Sequence, residues 1–395
     1  MNWHDAMLGV MRGEPASGLL FVPRLDIWYN ANRKRGTLPG EFRSLDLPEV
    51  SEQLGVGLHS VVPDFARTGD DRNLHHRALG FYNHPDFPYR ADFSAVEYRV
   101  VVEPQTLSTI YRTSTGDVST RIRYGPEFLD SGSSIPDILE PAIKGPDDYP
   151  RVAEILSKAR IVPAPEGCER YRSRIGERGV AVAYLSLAAS PMHHIMRDLR
   201  KLEPFFFDLA DDPRPVHALA DVLAGLHDAL VSAALESLAE VFLLGANYDD
   251  AITYPPFFER YIMPWLRRAA ERLHGAGKLL MTHTDGENQR LLPLFLQSRF
   301  DIADSVCPAP MTKVPLRDYR KAFGRAITIW GGIPSIMVLE NSCSEADFRS
   351  YVDALIEETR PYNNFILSVA DTLPPDADFE RILYLRDRVA EERTL

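Results

Sequence analysis

The sequence predicts an α/β fold, a single (β/α)8 TIM-barrel domain over residues 1–395 with an antiparallel β insertion near its N-terminal half. Two observations carry that prediction. Through the C-terminal two-thirds, apolar runs of strand length alternate with longer amphipathic stretches, the pattern of βα units feeding a parallel sheet. The strands counted this way reach eight, the number that closes a barrel.

In chain order, the first strands fall at 19–27 and 57–62. The segment 94–125, rich in Val, Tyr, Thr and Arg around a Thr-Gly-Asp turn, breaks the alternation and reads as an antiparallel meander, an insertion or lid. Residues 131–148, SGSSIPDILEPAIKGPDD, have the most linker-like composition. Six further strands follow near 181–186, 241–245, 278–282, 301–306, 326–330 and 365–368. Between them helices are expected near 191–200, 213–240, 255–275, 287–297, 314–323, 345–360 and 377–392. Pro255 and Pro256 suit a helix start, whereas Pro264 predicts a kink or break.

Composition narrows the function classes. A chain of 395 residues with 45% hydrophobic and 25% charged residues is ordinary globular material. The net charge of -12 argues against general affinity for nucleic acid, whose phosphates call for clustered Lys and Arg. Uninterrupted apolar runs such as the one at Val241 are too short to cross a bilayer, and the N-terminus lacks a secretory signal pattern, so no membrane partner and a cytoplasmic location are expected. Cys168, Cys307 and Cys343 are too few for a disulfide framework. A small substrate or a protein partner is the expectation, and a homodimer is open to the chain. Neither a Gly-rich dinucleotide fingerprint nor a P-loop is present.

In a parallel barrel, reactive groups sit on the loops after the strands. Those loops carry Asn247, Tyr248, Asp249 and Asp250; His283, Asp285 and Glu287; Cys307; Gly331 and Gly332; and Asp371. His283 and Asp285, two apart on a tight turn, can point at one ion with Cys307 arriving from the next strand, and imidazole, carboxylate and thiolate all ligate zinc. The plainer reading makes Asp285 a helix cap, His283 a backbone partner and Cys307 core. Asn247 to Asp250 holds more carboxylate than one cap requires, so it reads equally as a turn or as catalytic machinery. Arg24 lies within a predicted strand and needs an anion or a cavity. Arg33, Lys34 and Arg35 read as a solvated loop. His193, at a helix start, can face the barrel mouth or solvent.

The stretches GANYDDAITYPPFFERYIMPWLRRAAERLHGAGKLLMTHTDGENQRLLPLF, DIADSVCPAPMTKVPLRDYRKAFG and TIWGGIPS resemble the uroporphyrinogen decarboxylase-like superfamily, and more closely its corrinoid-linked methyltransferase branch. The likeness runs from about residue 180 to the C-terminus, with a weaker echo from Arg24 to Pro39. The decarboxylase's Arg-Gln-Ala-Gly-Arg-Tyr motif is absent, since Asn32 to Pro39 reads NRKRGTLP. The branch's His-X-Cys zinc ligands fall on His283-Thr284-Asp285, and its late Cys falls near Asp371.

The resemblance implies a demethylase component that moves a methyl group from a small O-methyl or N-methyl compound to the Co(I) of a separate corrinoid protein. No Asp-X-His-X-X-Gly corrinoid motif occurs in this chain. It also implies metal ligands among His283, Asp285 and Asp371, to which Cys307 is added from its place after the adjacent strand, with zinc the metal. The catalytic set is then Asn247, Tyr248, Asp249, Asp250 and Arg24, and the substrate-contacting set is Trp28, Asn30, His193, Glu287 and Trp330. Two alternatives stand beside it: a decarboxylase-like lyase acting on a carboxylated substrate, and a ligand-binding barrel without turnover.

Overall fold

The computed structural model describes residues 1–15, 18–60, 70–124 and 135–394. Its strands in chain order are β1 (Leu20–Phe21), β2 (Tyr89–Asp92), β3 (Tyr98–Val102), β4 (Thr106–Thr113), β5 (Gly116–Arg123), β6 (Asp137–Glu140), β7 (Arg160–Pro163), β8 (Val182–Ser186), β9 (Val241–Ala246), β10 (Leu279–His283), β11 (Ile302–Val306), β12 (Thr328–Pro334) and β13 (Phe365–Ala370). The chain forms two compact units. One comprises Met1–Val61, Arg172–Val182 and Glu240–Leu395, the other Val62–Tyr171 and Ala183–Ala239.

The first unit is built on a seven-stranded sheet in the order β1-β13-β12-β11-β10-β9-β8, where β8 is the strand that begins in this unit at Val182. Every pairing from β1 through β9 is parallel. Strands β9, β11, β12 and β13 are buried along their whole length, as strands covered on both faces must be. This is why they read in the sequence as continuous apolar runs.

The eighth strand of the expected barrel does not form as a regular ladder. Residues 57–60 occupy its place: the Gly57 amide donates to the Phe21 carbonyl, and the Ser60 carbonyl accepts from Val182. No strand is assigned there, and Val61 and Val62 lie outside the described residues. The predicted strand at 19–27 shrinks to β1, because Pro23 has no N–H to continue a ladder and a helix begins at Asp26. That helix, Asp26–Arg35, places Arg33, Lys34 and Arg35 in its last turn, where cations favour the helix dipole, and Gly36 ends it at φ 71°. The three basic residues therefore close a helix instead of lying in a loop. The break expected at Pro264 takes the form of a π turn, Phe258–Ile262, before the helix Met263–His274.

In the second unit, the meander expected over 94–125 corresponds to the antiparallel strands β3, β4 and β5, with β6 extending the sheet. Gly125 and the first four residues of the linker-like 131–148 lie outside the described residues, and β6 follows them. A two-stranded sheet pairs β2 with β7. The helix Pro213–Glu236 has the length and composition of a membrane span. It instead buries Val216, Leu219, Leu223, Leu230 and Val231 while packing on β7 and the helix Asp148–Lys158. Inspection of uninterrupted runs overlooks it because His217, Asp221, His227 and Asp228 divide it.

Candidate active site

Parallel pairing of β10 with β11 sets His283 beside Asp304. Adjacent residues in register share a face of the sheet, so the imidazole Nδ1 meets the Asp304 carboxylate at 2.7 Å. The other Asp304 oxygen lies 3.4 Å from His59 Nε2, reaching in from the segment that stands at the eighth strand position. One register step further, Asp304 pairs with Trp330 on β12, whose ring centroid is 4.6 Å from that of His59 and whose Nε1 donates to the Val22 carbonyl. Side chains from three neighbouring strands thus form one layer.

At the ends of β1 and β13 a second set meets the first. Arg24 donates from Nε to Asp26 at 3.1 Å and from a terminal nitrogen to Asp371 Oδ1 at 2.8 Å. The same Asp371 oxygen lies 3.2 Å from His283 Nε2 and 3.5 Å from Ser305 Oγ. Ser305 adopts φ 62° where the β11–β12 register shifts, a bulge that turns its side chain toward the site. Asp285 follows two residues after His283, and Gly286 behind it has φ 123°, where a Cβ would lie 2.4 Å from the Tyr248 carbonyl oxygen. Only glycine permits that approach.

Charges in this layer hold one another. Burial opposes the charge on His283, but Asp371 and Asp304 outweigh it and raise its pKa to about 10. Burial likewise opposes ionisation of Asp304, yet His283 and His59 keep its carboxyl well below the usual range. Arg24 and His283 do the same for Asp371 against its burial. Asp285 differs: burial pushes its pKa up, only partly offset by His283 and reinforced by Asp371.

One nitrogen of His283 and one carboxylate oxygen each from Asp285 and Asp371 lie within 4.8 Å of one another. A small contraction would bring them to one divalent ion at ligand distances near 2.1 Å. The donor set fits such an ion, since a ligating histidine ordinarily gives its other ring nitrogen to a carboxylate, and Asp304 holds Nδ1 in that manner. Cys307 stays outside the group. Burial, then Asp285 and Asp371, push its thiol up to about 12 in the metal-free protein. Of the four expected ligands, one imidazole and two carboxylates already lie together.

Other candidates are not brought to this centre. Tyr248 is fully buried, its hydroxyl 2.7 Å from Thr282 Oγ1 and its ring against Phe258 and Phe295. It packs the core behind β10 instead of lining a mouth. Asp249 accepts from the Ala251 amide, and Asp250 accepts from the Arg290 amide at 2.9 Å, so both fasten turns. Asn247, at φ 58°, is exposed and bonds through its amide to the His283 carbonyl. Glu287 accepts from the Gln289 and Lys313 amides. Trp28 stacks on Phe379 at 4.7 Å, and Asn30 is half-buried on the same helix. His193 belongs to the second unit, where its Nδ1 accepts from the Ala189 amide. Substituting Asp250→Ala is expected to lower stability by about 1–2 kcal/mol, because a hydrogen bond to a charged group is lost. Urea titration checks this, and an unchanged midpoint would remove the structural role.

His59, Asp304, Asp26 and Ser305 join the centre without having been singled out in the sequence. The signal for Asp304 was a carboxylate inside the apolar run IADSV, and for His59 an imidazole inside GLHSVV.

The sequence profile of the uroporphyrinogen decarboxylase (URO-D) family matches residues 127–392. Among solved structures, a methyltransferase from Methanosarcina mazei has a similar fold, with a TM-score of 0.54 at 12% identity over 98% of this chain and 97% of that one. No curated protein matches the sequence.

Proposed function

This chain belongs to the uroporphyrinogen decarboxylase (URO-D) family, and we propose that it is a methyltransferase of that family, taking a methyl group from a small O-methyl or N-methyl compound to the Co(I) of a separate corrinoid protein in the cytoplasm. The observation that carries this reading is the group of His283, Asp285 and Asp371 at the strand ends, with Asp304 behind the imidazole. A divalent ion held there, zinc in this proposal, would supply a Lewis acid that polarises the heteroatom bearing the methyl group. The chain's own residues prepare the place. Asp304 orients the ring so that Nε2 faces Asp371, and Arg24 with Ser305 fixes the Asp371 carboxylate. Their position at the carboxyl ends of parallel strands is where folds of this kind present groups to an incoming reactant. The family match, over residues 127–392, includes segments of both compact units, which supports reading residues 1–395 as one catalytic domain.

The lyase alternative has less support. A site that grips a substrate carboxylate needs a free cation, whereas Arg24 is already engaged by Asp26 and Asp371 and its pKa is raised by both against burial. Mixing the protein with a Co(I) corrinoid carrier and methoxyaromatics, methylamines or betaines should consume the Co(I) absorbance with at least one donor. Silence across all of them, with labelled CO2 released from a carboxylated substrate, would favour the lyase. Ligand-induced thermal stabilisation with neither reaction would favour the binding barrel.

Asp304→Asn tests the brace behind the imidazole. Partners of this type are worth about 10–100-fold in metal affinity, and a loss of that size in zinc binding is expected by competition with a chromophoric chelator. Wild-type affinity in the variant would show that Asp304 serves the fold alone.

A further inference from the structure

Strand β3 lies at the edge of the four-stranded sheet, and among the described residues its outer side has no partner strand. Tyr98, Val101 and Val102 are exposed large apolar residues on this short segment, with Arg99 and Glu103 exposed beside them. An apolar strand edge in water is normally covered or blunted, because its open N–H and C=O groups template pairing.

The ladder shows which groups are open. Glu103 exchanges both backbone bonds with Thr106, and the Arg112 amide donates to the Glu97 carbonyl. Antiparallel bonding alternates, so Glu97, Arg99, Val101 and Glu103 face β4, while the backbone groups of Tyr98, Val100 and Val102 face outward. A second strand must therefore meet β3 in a register that sets these outward residues against outward residues.

We propose that the occupant is β3 of a second copy of this chain, paired antiparallel about a two-fold axis at Val101. In that register Val100 and Val102 exchange backbone hydrogen bonds across the axis, and Arg99 stands opposite Glu103 twice, in the non-hydrogen-bonded positions where side chains approach most closely. The neighbouring registers are worse. Centring on Val100 sets Glu97 against Glu103, and centring on Arg99 sets that arginine against itself. Charge thus selects one self-complementary alignment, as an isologous interface requires. Arg99 makes no ion pair within the described residues of one chain, which leaves it available. The product is a continuous eight-stranded antiparallel sheet running through two copies. This reading does not depend on the proposed chemistry.

Sedimentation velocity of the full chain over micromolar concentrations should show a monomer–dimer equilibrium. Arg99→Glu and Glu103→Arg should each raise the dimer Kd by about tenfold or more, since each turns two opposite-charge pairs into like-charge pairs. The double variant should recover the wild-type Kd. Val101→Lys, which places two ammonium groups across the axis, should also dissociate the dimer. Far-UV circular dichroism monitors folding of these surface variants. A monomer at every concentration would overturn the proposal, as would a dimer indifferent to the single substitutions or not restored by the double one.

Discussion

His283→Ala should leave the protein without bound zinc and lower methyl transfer by about a thousandfold, since loss of a Lewis acid forfeits several kcal/mol and each 1.36 kcal/mol is a factor of ten. The residue stands at the end of β10, so its backbone is fixed by the ladder whatever its side chain. The side chain itself is not free of structural consequence. Removing it strips the buried Asp304 of its shortest partner, and breaking a buried pair costs about 3–5 kcal/mol. His283→Gln is therefore the companion variant, because an amide can still donate to Asp304 while being a poor ligand. Both variants should be metal-poor, and the glutamine variant should melt closer to wild type. Stoichiometric zinc retained in folded His283→Gln would refute the ligand assignment. A wild-type protein that turns over without metal would instead leave His283 as a hydrogen-bond donor to substrate.

The distribution of what was legible in the sequence follows from what sets each feature. Strands β9 to β13 were readable because a strand covered on both faces must be apolar throughout, and that leaves a continuous run. The ends of β9, β10 and β11 were readable to within one residue, which is how His283 and Asp285 were found, whereas β12 and β13 run four and two residues past the expected ends at 330 and 368. Pairing register is not written in any one strand. Asp304 looks like one of two polar residues in IADSV until β11 lies beside β10, and then it is the immediate neighbour of His283. His59 was hidden for a related reason, since its segment holds the eighth position through separate hydrogen bonds at Gly57 and Ser60. Cys307 and the Tyr248 loop show the converse difficulty. Polar or reactive residues after strands also satisfy backbone groups or fill the core, and only the burial of Tyr248 and its bond to Thr282 distinguishes the two.

Acidification should unfold the second unit well before its carboxylates titrate. His76, His193, His194 and His227 are buried there, each with its pKa lowered first by burial. His76 and His193 fall to about 3, with His75 reinforcing the first and Arg197 the second. Near His194, Asp198 pulls the other way without reversing the shift. Histidines kept neutral in the fold but titrating near 6.5 when unfolded contribute their full stability above pH 6.5. That contribution is lost as pH falls from 6.5 toward 3, because protons then bind the unfolded chain preferentially.

Each such histidine contributes a slope of up to about 1.4 kcal/mol per pH unit between its unfolded and folded pKa, so His76 and His193 alone remove a large part of a typical domain's stability within about two units, and His194 and His227 act in the same direction. The Arg77–Asp198 ion pair adds a loss in the same direction, but only near the carboxylate range, since the Asp198 pKa is itself lowered by Arg77 and Arg197 against burial. His283 in the metal-free protein works oppositely. Its raised pKa gives stability that is complete below 6.5 and fades as pH climbs toward 10, so it does not offset the acid loss. Urea unfolding followed by circular dichroism should therefore show a midpoint falling steeply from pH 7 to pH 5. His193→Gln should flatten that slope by about one histidine's share, whatever it does to stability at pH 7. A midpoint independent of pH in this window, or an identical slope in the variant, would mean that these imidazoles are not held neutral by the fold.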